Sequence, residues 1–237
     1  MGNDHRKIIV TGQPRFDPLV RGDRRFQREA IMPRLGLDPR KKVVVLFPEP
    51  IVTNVREADN DQFIRVAFMA ARDLPDVQVV TKLHPIDSDF VRPRRFALEA
   101  GLHDVAIVND VDLWDLLSIS DVTLVTTSTV GHEAIAMGKP LIQVSISKTE
   151  PTYVPYAEFG AALEVSDIAA LGKTIEKALW DPLTLRRLEE GMASFVTHFA
   201  HRLDGLASER VVDLISQMIR ENAARSPYVA QTDAVRR

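Results

Sequence analysis

The stretch "TTSTVGHEAIAMGKPLIQV", Thr126 to Val144, concentrates side chains that could do chemistry. Thr126, Thr127, Ser128 and Thr129 carry hydroxyls in succession, and Gly131, His132 and Glu133 follow. A helix beginning near Val130 would leave its first backbone N–H groups without partners. Together with the helix dipole, those groups form an anion site. Ser128 and Thr129 could add hydroxyl donors, and Gly131 would let a ligand come close to the backbone. Glu133, about one turn into the helix, suits a pair of hydroxyls such as a ribose diol. It is out of register for a capping box, which would need a hydroxyl at Val130. The competing reading is a plain Ser/Thr cap with Glu133 favoured by the dipole. This stretch by itself leaves the two open.

Other side chains could join it. In "KLHP", His84 stands at a strand end, and Pro85 biases it toward extended backbone. An imidazole there could donate to a phosphate or act as acid or base; otherwise it caps a loop. Only one of Lys82 and His84 is expected to face the site. In "TGQPRFD", Gly12 makes a tight turn and Arg15 could fork onto a phosphate or a carboxylate. The rival partner for Arg15 is Asp17 or another acid. His198 and His201 are spaced near one helical turn but lack a third ligand close by, so no metal site is expected. Trp114 and Leu117 sit at helix spacing and read as core.

These groups need a frame. Short apolar runs recur: "KIIVTG" near Ile8, "VVVLF" at Val43, "VQVVTKL" at Val77, "VAIV" at Val105, "DVTLV" at Asp121 and "PLIQV" at Pro140. They are nearly continuous rather than alternating, as in strands buried on both faces. Amphipathic segments lie between most of them, such as "ADNDQFIRVAFMAARDL" and "DLWDLLSIS". Strand and helix in repetition predict a parallel sheet with right-handed crossovers. The fold class is therefore α/β, a doubly wound Rossmann-like sheet. After a short strand, "AALEV" at Ala161, the pattern turns helical over 166–224, with Pro182 suited to the first turn of a helix. A single domain over 1–224 and a flexible tail over 225–237 are expected.

In such a sheet ligands bind beyond the carboxyl ends of the strands. The loops "TGQPRFD", "PEPIVTN", "KLHPID", "NDVDLW" and the hydroxyl turn should then share one rim. Composition narrows what they do. The chain has 237 residues, 45% hydrophobic and 27% charged, ordinary for a globular domain. There is no cysteine, which excludes disulfides and thiolate chemistry and fits a reducing compartment. A net charge of -3 gives no basic excess for nucleic acid. No apolar run approaches a membrane span, and "MGNDHRK" does not read as a secretory signal. The cytoplasm is the expected location. A dinucleotide fingerprint, a P-loop and a nucleophile elbow are all absent, which disfavours hydride transfer, P-loop hydrolysis and serine acyl chemistry.

In order, these loops resemble the C-terminal, nucleotide-sugar-binding half of a GT-B type glycosyltransferase. "VTGQPRFD" is similar to the strand and turn that open that half. "KLHP" followed by "DLWDLLSISDVTLVTTSTVGHEAIAMGKPLI" resembles its central motifs, and "DGLASERVVDLI" its closing helix. Capsule and surface polysaccharide enzymes, teichoic-acid glycerophosphotransferases and UDP-N-acetylglucosamine 2-epimerases share these motifs. The resemblance implies that Thr127, Ser128 and Thr129 meet a diphosphate, that Glu133 holds the ribose, and that the backbone around Asn109 meets the base. It implies that His84 lies near the transferred group and that Gln13 and Arg15 stand at the cleft mouth.

It also implies a nucleotide-sugar donor as substrate, with no separate cofactor and no metal. The acceptor-binding half would precede Met1 or come from a partner subunit, and the full enzyme could associate peripherally with a membrane. This chain would be a piece of a longer enzyme or one subunit of a split one, weak or inactive alone. A 2-epimerase half is an alternative, although His132 stands where that pattern has an acid, and Ser128-Thr129 where it has glycines. A non-catalytic nucleotide-sugar-binding module is another.

Overall fold

The computed structural model describes residues 8–23, 25–50, 57–146 and 154–225. The chain divides into two compact units, Arg25–Val196 and a smaller one that joins Met1–Arg24 to Thr197–Arg237. The expected domain, 1–224, spans both. The larger unit carries a six-stranded parallel sheet in the order β3-β2-β1-β4-β5-β6. Its strands are β1 (Lys42–Phe47), β2 (Val77–Lys82), β3 (Ala106–Val108), β4 (Val122–Val125), β5 (Leu141–Val144) and β6 (Leu163–Val165). All neighbouring pairs are parallel. Each apolar run from Val43 onward thus becomes a strand, and the α/β doubly wound fold stands.

The first run does not. Ile8, Ile9 and Val10 join no ladder and are more than half exposed. An apolar run becomes a strand only where its backbone finds a partner strand to bond.

The central strands are mainly apolar because both of their faces are covered. On β1, Val43, Val45 and Phe47 enter one core and Val44 and Leu46 the other, as the period of two requires. The first core lies under α2 (Arg28–Arg34), α5 (Leu113–Ile119), α6 (Val130–Ala136) and part of α8 (Pro182–Phe199). The second lies under α3 (Glu57–Arg72), α4 (Val91–Glu99) and α7 (Leu171–Trp180). Trp114 and Leu117 are core residues of this unit, as their spacing predicts.

Local chemistry sets the ends of these helices. Asp112 Oδ1 accepts from the Trp114 and Asp115 amides and starts α5. Asp181 accepts from the Leu183 and Thr184 amides, with Pro182 in the first helical position of α8. Gly138, with φ of 65°, ends α6, and the Lys139 amide turns back to the Ala134 carbonyl at 2.8 Å.

The smaller unit pairs the two ends of the chain. A short α1 (Asp17–Arg21) meets α9 (Ala207–Arg225). The buried Asp17 carboxylate accepts from the Ala207 amide at 3.0 Å and the Ser208 amide at 2.7 Å, capping α9. Burial raises the Asp17 carboxyl, but the bonds from Ser208 and Ala207 and the nearby Arg21 leave it below its ordinary value. Asp17, the rival partner named for Arg15, thus caps a helix almost two hundred positions away. Arg210 Nε donates to the Thr11 carbonyl at 2.7 Å, and Gly12, with φ of 91°, lets that arginine pass. The expected tail lies outside the described residues from 226 onward.

Candidate functional site

The carboxyl ends of β1 to β4 present four loops to one edge of the larger unit. On the β2–β3 side, the loops are locked to each other through the backbone. Lys82 is buried, 7% exposed, and its Nζ donates to the Leu83 carbonyl at 3.0 Å and the Asn109 carbonyl at 2.7 Å. Burial pushes its ammonium below the usual lysine value, partly offset by Asp110. The Leu83 amide donates to the Val108 carbonyl at 2.7 Å, and Asn109 Nδ2 donates to the Asp87 carbonyl at 3.1 Å. His84 is exposed on this braced loop. Its Nδ1 accepts from the Ile86 amide at 3.3 Å, so a neutral ring carries its proton on Nε2. Lys82 is therefore spent on carbonyls, while the imidazole is accessible. The two are not adjacent in the chain: Leu83 stands between them.

On the β1–β4 side, the hydroxyl turn leads directly into α6. Thr129 takes the N-cap position without a side-chain cap bond, and Ser128 Oγ lies 3.4 Å from the Val130 amide. Glu133 is buried in the first turn, 5% exposed. Gly131 has a different reason from the one its sequence context suggests. Tyr156, fully buried, packs its ring where a Gly131 Cβ would project. The missing side chain makes room for a phenol rather than for a ligand. The Tyr156 hydroxyl donates to the Ser128 carbonyl at 3.0 Å and lies 2.9 Å from His132 Nδ1. The His132 and Phe195 rings meet edge to face at 5.2 Å, so His132 is built into the packing under the turn. Burial, and then the negative charge of Glu133, push the Tyr156 phenol well above its usual value.

One functional group escaped the sequence reading. Glu49, two residues beyond β1, accepts from Thr126 Oγ1 and Thr127 Oγ1, each at 3.2 Å. Its only signal was its place in "PEPIVTN", a rim loop whose residues 51–54 lie outside the described residues.

The structure thus brings His84, Asn109, Thr127, Ser128, Thr129 and Glu133 to the strand-end loops of one sheet. Gln13 and Arg15 are exposed and belong to the smaller unit. Between α2 and α5 a cleft of about 500 Å³ is lined by Ile31, Leu35, Val108 and Val111 together with the charged Arg34, Asp110, Asp112 and Asp115. The paired-histidine spacing has no helical meaning, since α8 ends at Phe199 and His201 has a left-handed φ of 63°. No group of three or more metal-ligating side chains occurs among the described residues. No helix among them is long and apolar enough to cross a membrane.

Residues 2–217 match the family model described as CDP-glycerol:poly(glycerophosphate) glycerophosphotransferase. The chain is 27% identical over 223 residues to the teichoic acid poly(ribitol-phosphate) polymerase of Bacillus spizizenii, covering 90% of this chain and 34% of that one. Among solved structures, the wall teichoic acid polymerase TagF aligns with a TM-score of 0.61 at 20% identity, covering 93% of this chain and 54% of that one. A UDP-GlcNAc 2-epimerase from Neisseria meningitidis, bound to UDP-GlcNAc, aligns with a TM-score of 0.62 at 16% identity, covering 91% and 57%. At such identities these likenesses show the fold, which is of the GT-B type. The chain spans about half the length of the structures and a third of the polymerase that it matches.

Proposed function

The chain belongs to the CDP-glycerol:poly(glycerophosphate) glycerophosphotransferase family, and from that premise we propose that it is the donor-binding half of a transferase that builds a surface polysaccharide. Its substrate is a nucleotide-linked donor, CDP-glycerol or a nucleoside-diphosphate sugar. One observation supports this reading most: the rim just described, where an accessible imidazole follows β2, and a run of hydroxyls and then a buried carboxylate follow β4, on either side of β1 in one sheet. That is the ligand position of a doubly wound sheet.

In glycerophosphate transfer an acceptor hydroxyl attacks the distal phosphorus, and the nucleoside monophosphate leaves with its oxygen carrying new charge. His84 Nε2–H is suited to donate to a phosphoryl oxygen as that charge develops. The braced loop around it means little reorganisation is needed at that moment. The backbone around Asn109, which the resemblance assigns to the base, adjoins the cleft lined by Val108 and Asp110. Glu133 is the acceptor for the ribose hydroxyls. The acceptor and its general base come from elsewhere in the full enzyme, so this chain alone binds donor and turns over little. The full enzyme is placed in the cytoplasm, with peripheral association at a membrane. A 2-epimerase has less support, because His132, where an acid is needed, is packed against Tyr156 and Phe195.

A thermal-shift panel of CDP, UDP, GDP and ADP with their glycerol or sugar conjugates tests the reading. A ligand at a hundred times its Kd stabilises by about 2.7 kcal/mol. At about 2–4 °C per kcal/mol for a chain this size, that is a shift of about 5–10 °C. The expected result is a shift selective for one base, reduced in Glu133→Ala. No shift with any nucleotide in a folded sample overturns the donor site and leaves the hydroxyl turn as a helix start.

A further inference from the structure

The strand order reverses at one seam. The chain winds from β1 to β2 and β3 on one side, then β4 returns to pair with the other side of β1. Loops leaving the two strands of such a seam diverge and open a crevice. In this chain the crevice holds a carboxylate that is fixed before any ligand arrives. The Glu49 amide donates to Asn60 Oδ1 at 3.1 Å, and its carbonyl accepts from Asn60 Nδ2 at 3.0 Å. Asn60 stands in the first turn of α3, so a rigid helix clamps the Glu49 peptide on both sides.

The chemistry of this carboxylate is one-sided. It accepts hydrogen bonds and donates none. The bonds from Thr126 and Thr127 therefore commit both hydroxyl protons to Glu49. What these groups turn to a ligand is lone pairs. Glu133 adds a second negative charge, and both carboxylates act on the Tyr156 phenol, after burial itself. A diphosphate placed against Glu49 would meet like charge, so Thr127, which the resemblance assigns to the diphosphate, serves Glu49 instead. Hydroxyls would find acceptors.

We propose that Glu49 is a specificity-determining residue: it accepts hydroxyls of the polyol or sugar carried by the donor, and the β1/β4 crevice takes that group while the diphosphate lies toward His84. The inference rests on the donor-site reading above and deepens it.

Calorimetric titration of CDP against CDP-glycerol, and of UDP against UDP-GlcNAc, separates the two. The wild-type chain should bind one conjugate about tenfold more tightly than its bare diphosphate, the value of one hydrogen bond to a charged group. Glu49→Gln should bring that ratio close to one and leave the bare diphosphate as tight or tighter. If Glu49→Gln does not fold, Glu49→Asp retracts the same charge and should lose the ratio with its fold intact. An unchanged ratio in a folded Glu49 variant overturns the proposal, and so does an equal loss for conjugate and diphosphate, the mark of a mere structural link. Wild-type binding of the diphosphates with no preference for either conjugate overturns it while sparing the donor site. Failure of the wild type to bind any of the four overturns both.

Discussion

The two sides of the rim use opposite chemistry on one sheet edge. Beyond β2 and β3, a buried ammonium gathers two backbone carbonyls and holds an imidazole at the surface. Beyond β1 and β4, a carboxylate gathers two hydroxyls, with Glu133 buried close by. The difference is one of hydrogen-bonding sense: carbonyls gather around a donor on one side, hydroxyls around an acceptor on the other. The sides also differ in what makes them rigid. The first is pinned by charge-assisted bonds to the backbone, the second by packing of Tyr156 over Gly131.

Breaking the ammonium lock should have the largest effect. Lys82→Met leaves the Leu83 and Asn109 carbonyls without their donor, at about 1–3 kcal/mol for each buried group. A total near 3 kcal/mol is expected in a denaturant titration, together with loss of donor binding, while Lys82→Arg should recover part of both. A stability close to wild type would mean that water replaces the ammonium and that the rim is not braced from below.

Asp121 gives the next effect, at the opposite end of the β1–β4 seam. It accepts from the Val43 amide at 2.8 Å, Arg28 at 2.9 Å and Lys42 at 3.1 Å. Burial raises its carboxyl, but these three bonds outweigh burial and leave it below the ordinary 3.8. Between that depressed value and 3.8 the unfolded chain binds more protons, so stability rises with pH across the window. The contribution is complete above the ordinary value and is lost as the folded carboxyl is protonated. Asp121→Asn should cost about 1.5–3 kcal/mol at neutral pH and flatten the acid end of a stability profile. Because this anchor lies away from the rim, donor affinity should change little.

Gly131→Ala sharpens the packing side. Alanine favours a helix over glycine by about 1 kcal/mol. Against that, its Cβ would collide with the Tyr156 ring, and overpacking costs about 1–3 kcal/mol. A net loss of about 1 kcal/mol or more is expected by thermal melting, and a net gain would show that Tyr156 moves aside freely. Thr127→Val should be the mildest, at about 0.5–1.5 kcal/mol for one hydrogen bond. Its double-mutant cycle with Glu49→Gln should show a coupling of the same order.

The amino-acid sequence determined the parts that obey short-range rules. The runs at Val43, Asp121 and Pro140 are strands because apolar residues buried on both faces leave little polar alternation, and those at Val77, Val105 and Ala161 extend the same sheet outward. Asp112, Pro182 and Gly138 set helix ends by bonds or dihedrals that reach only a few residues. The hydroxyl turn, His84 and Asn109 could be placed on one rim because strand ends share an edge in any parallel sheet. Tertiary structure decided everything that depends on which distant segment arrives. Thr127 and Glu49 are 78 positions apart, and only the return of β4 beside β1 joins them. Gly131 reads as a ligand approach until Tyr156 fills its space, and nothing near Asp17 in the chain foretells the two α9 amides it accepts. Ile8, Ile9 and Val10 read as a strand, but they join no ladder among the described residues. Local spacing records the hydrogen bonds a residue makes with its own helix or strand. It records nothing of the closure of long loops, which sets the meeting of Glu49 with the two threonines.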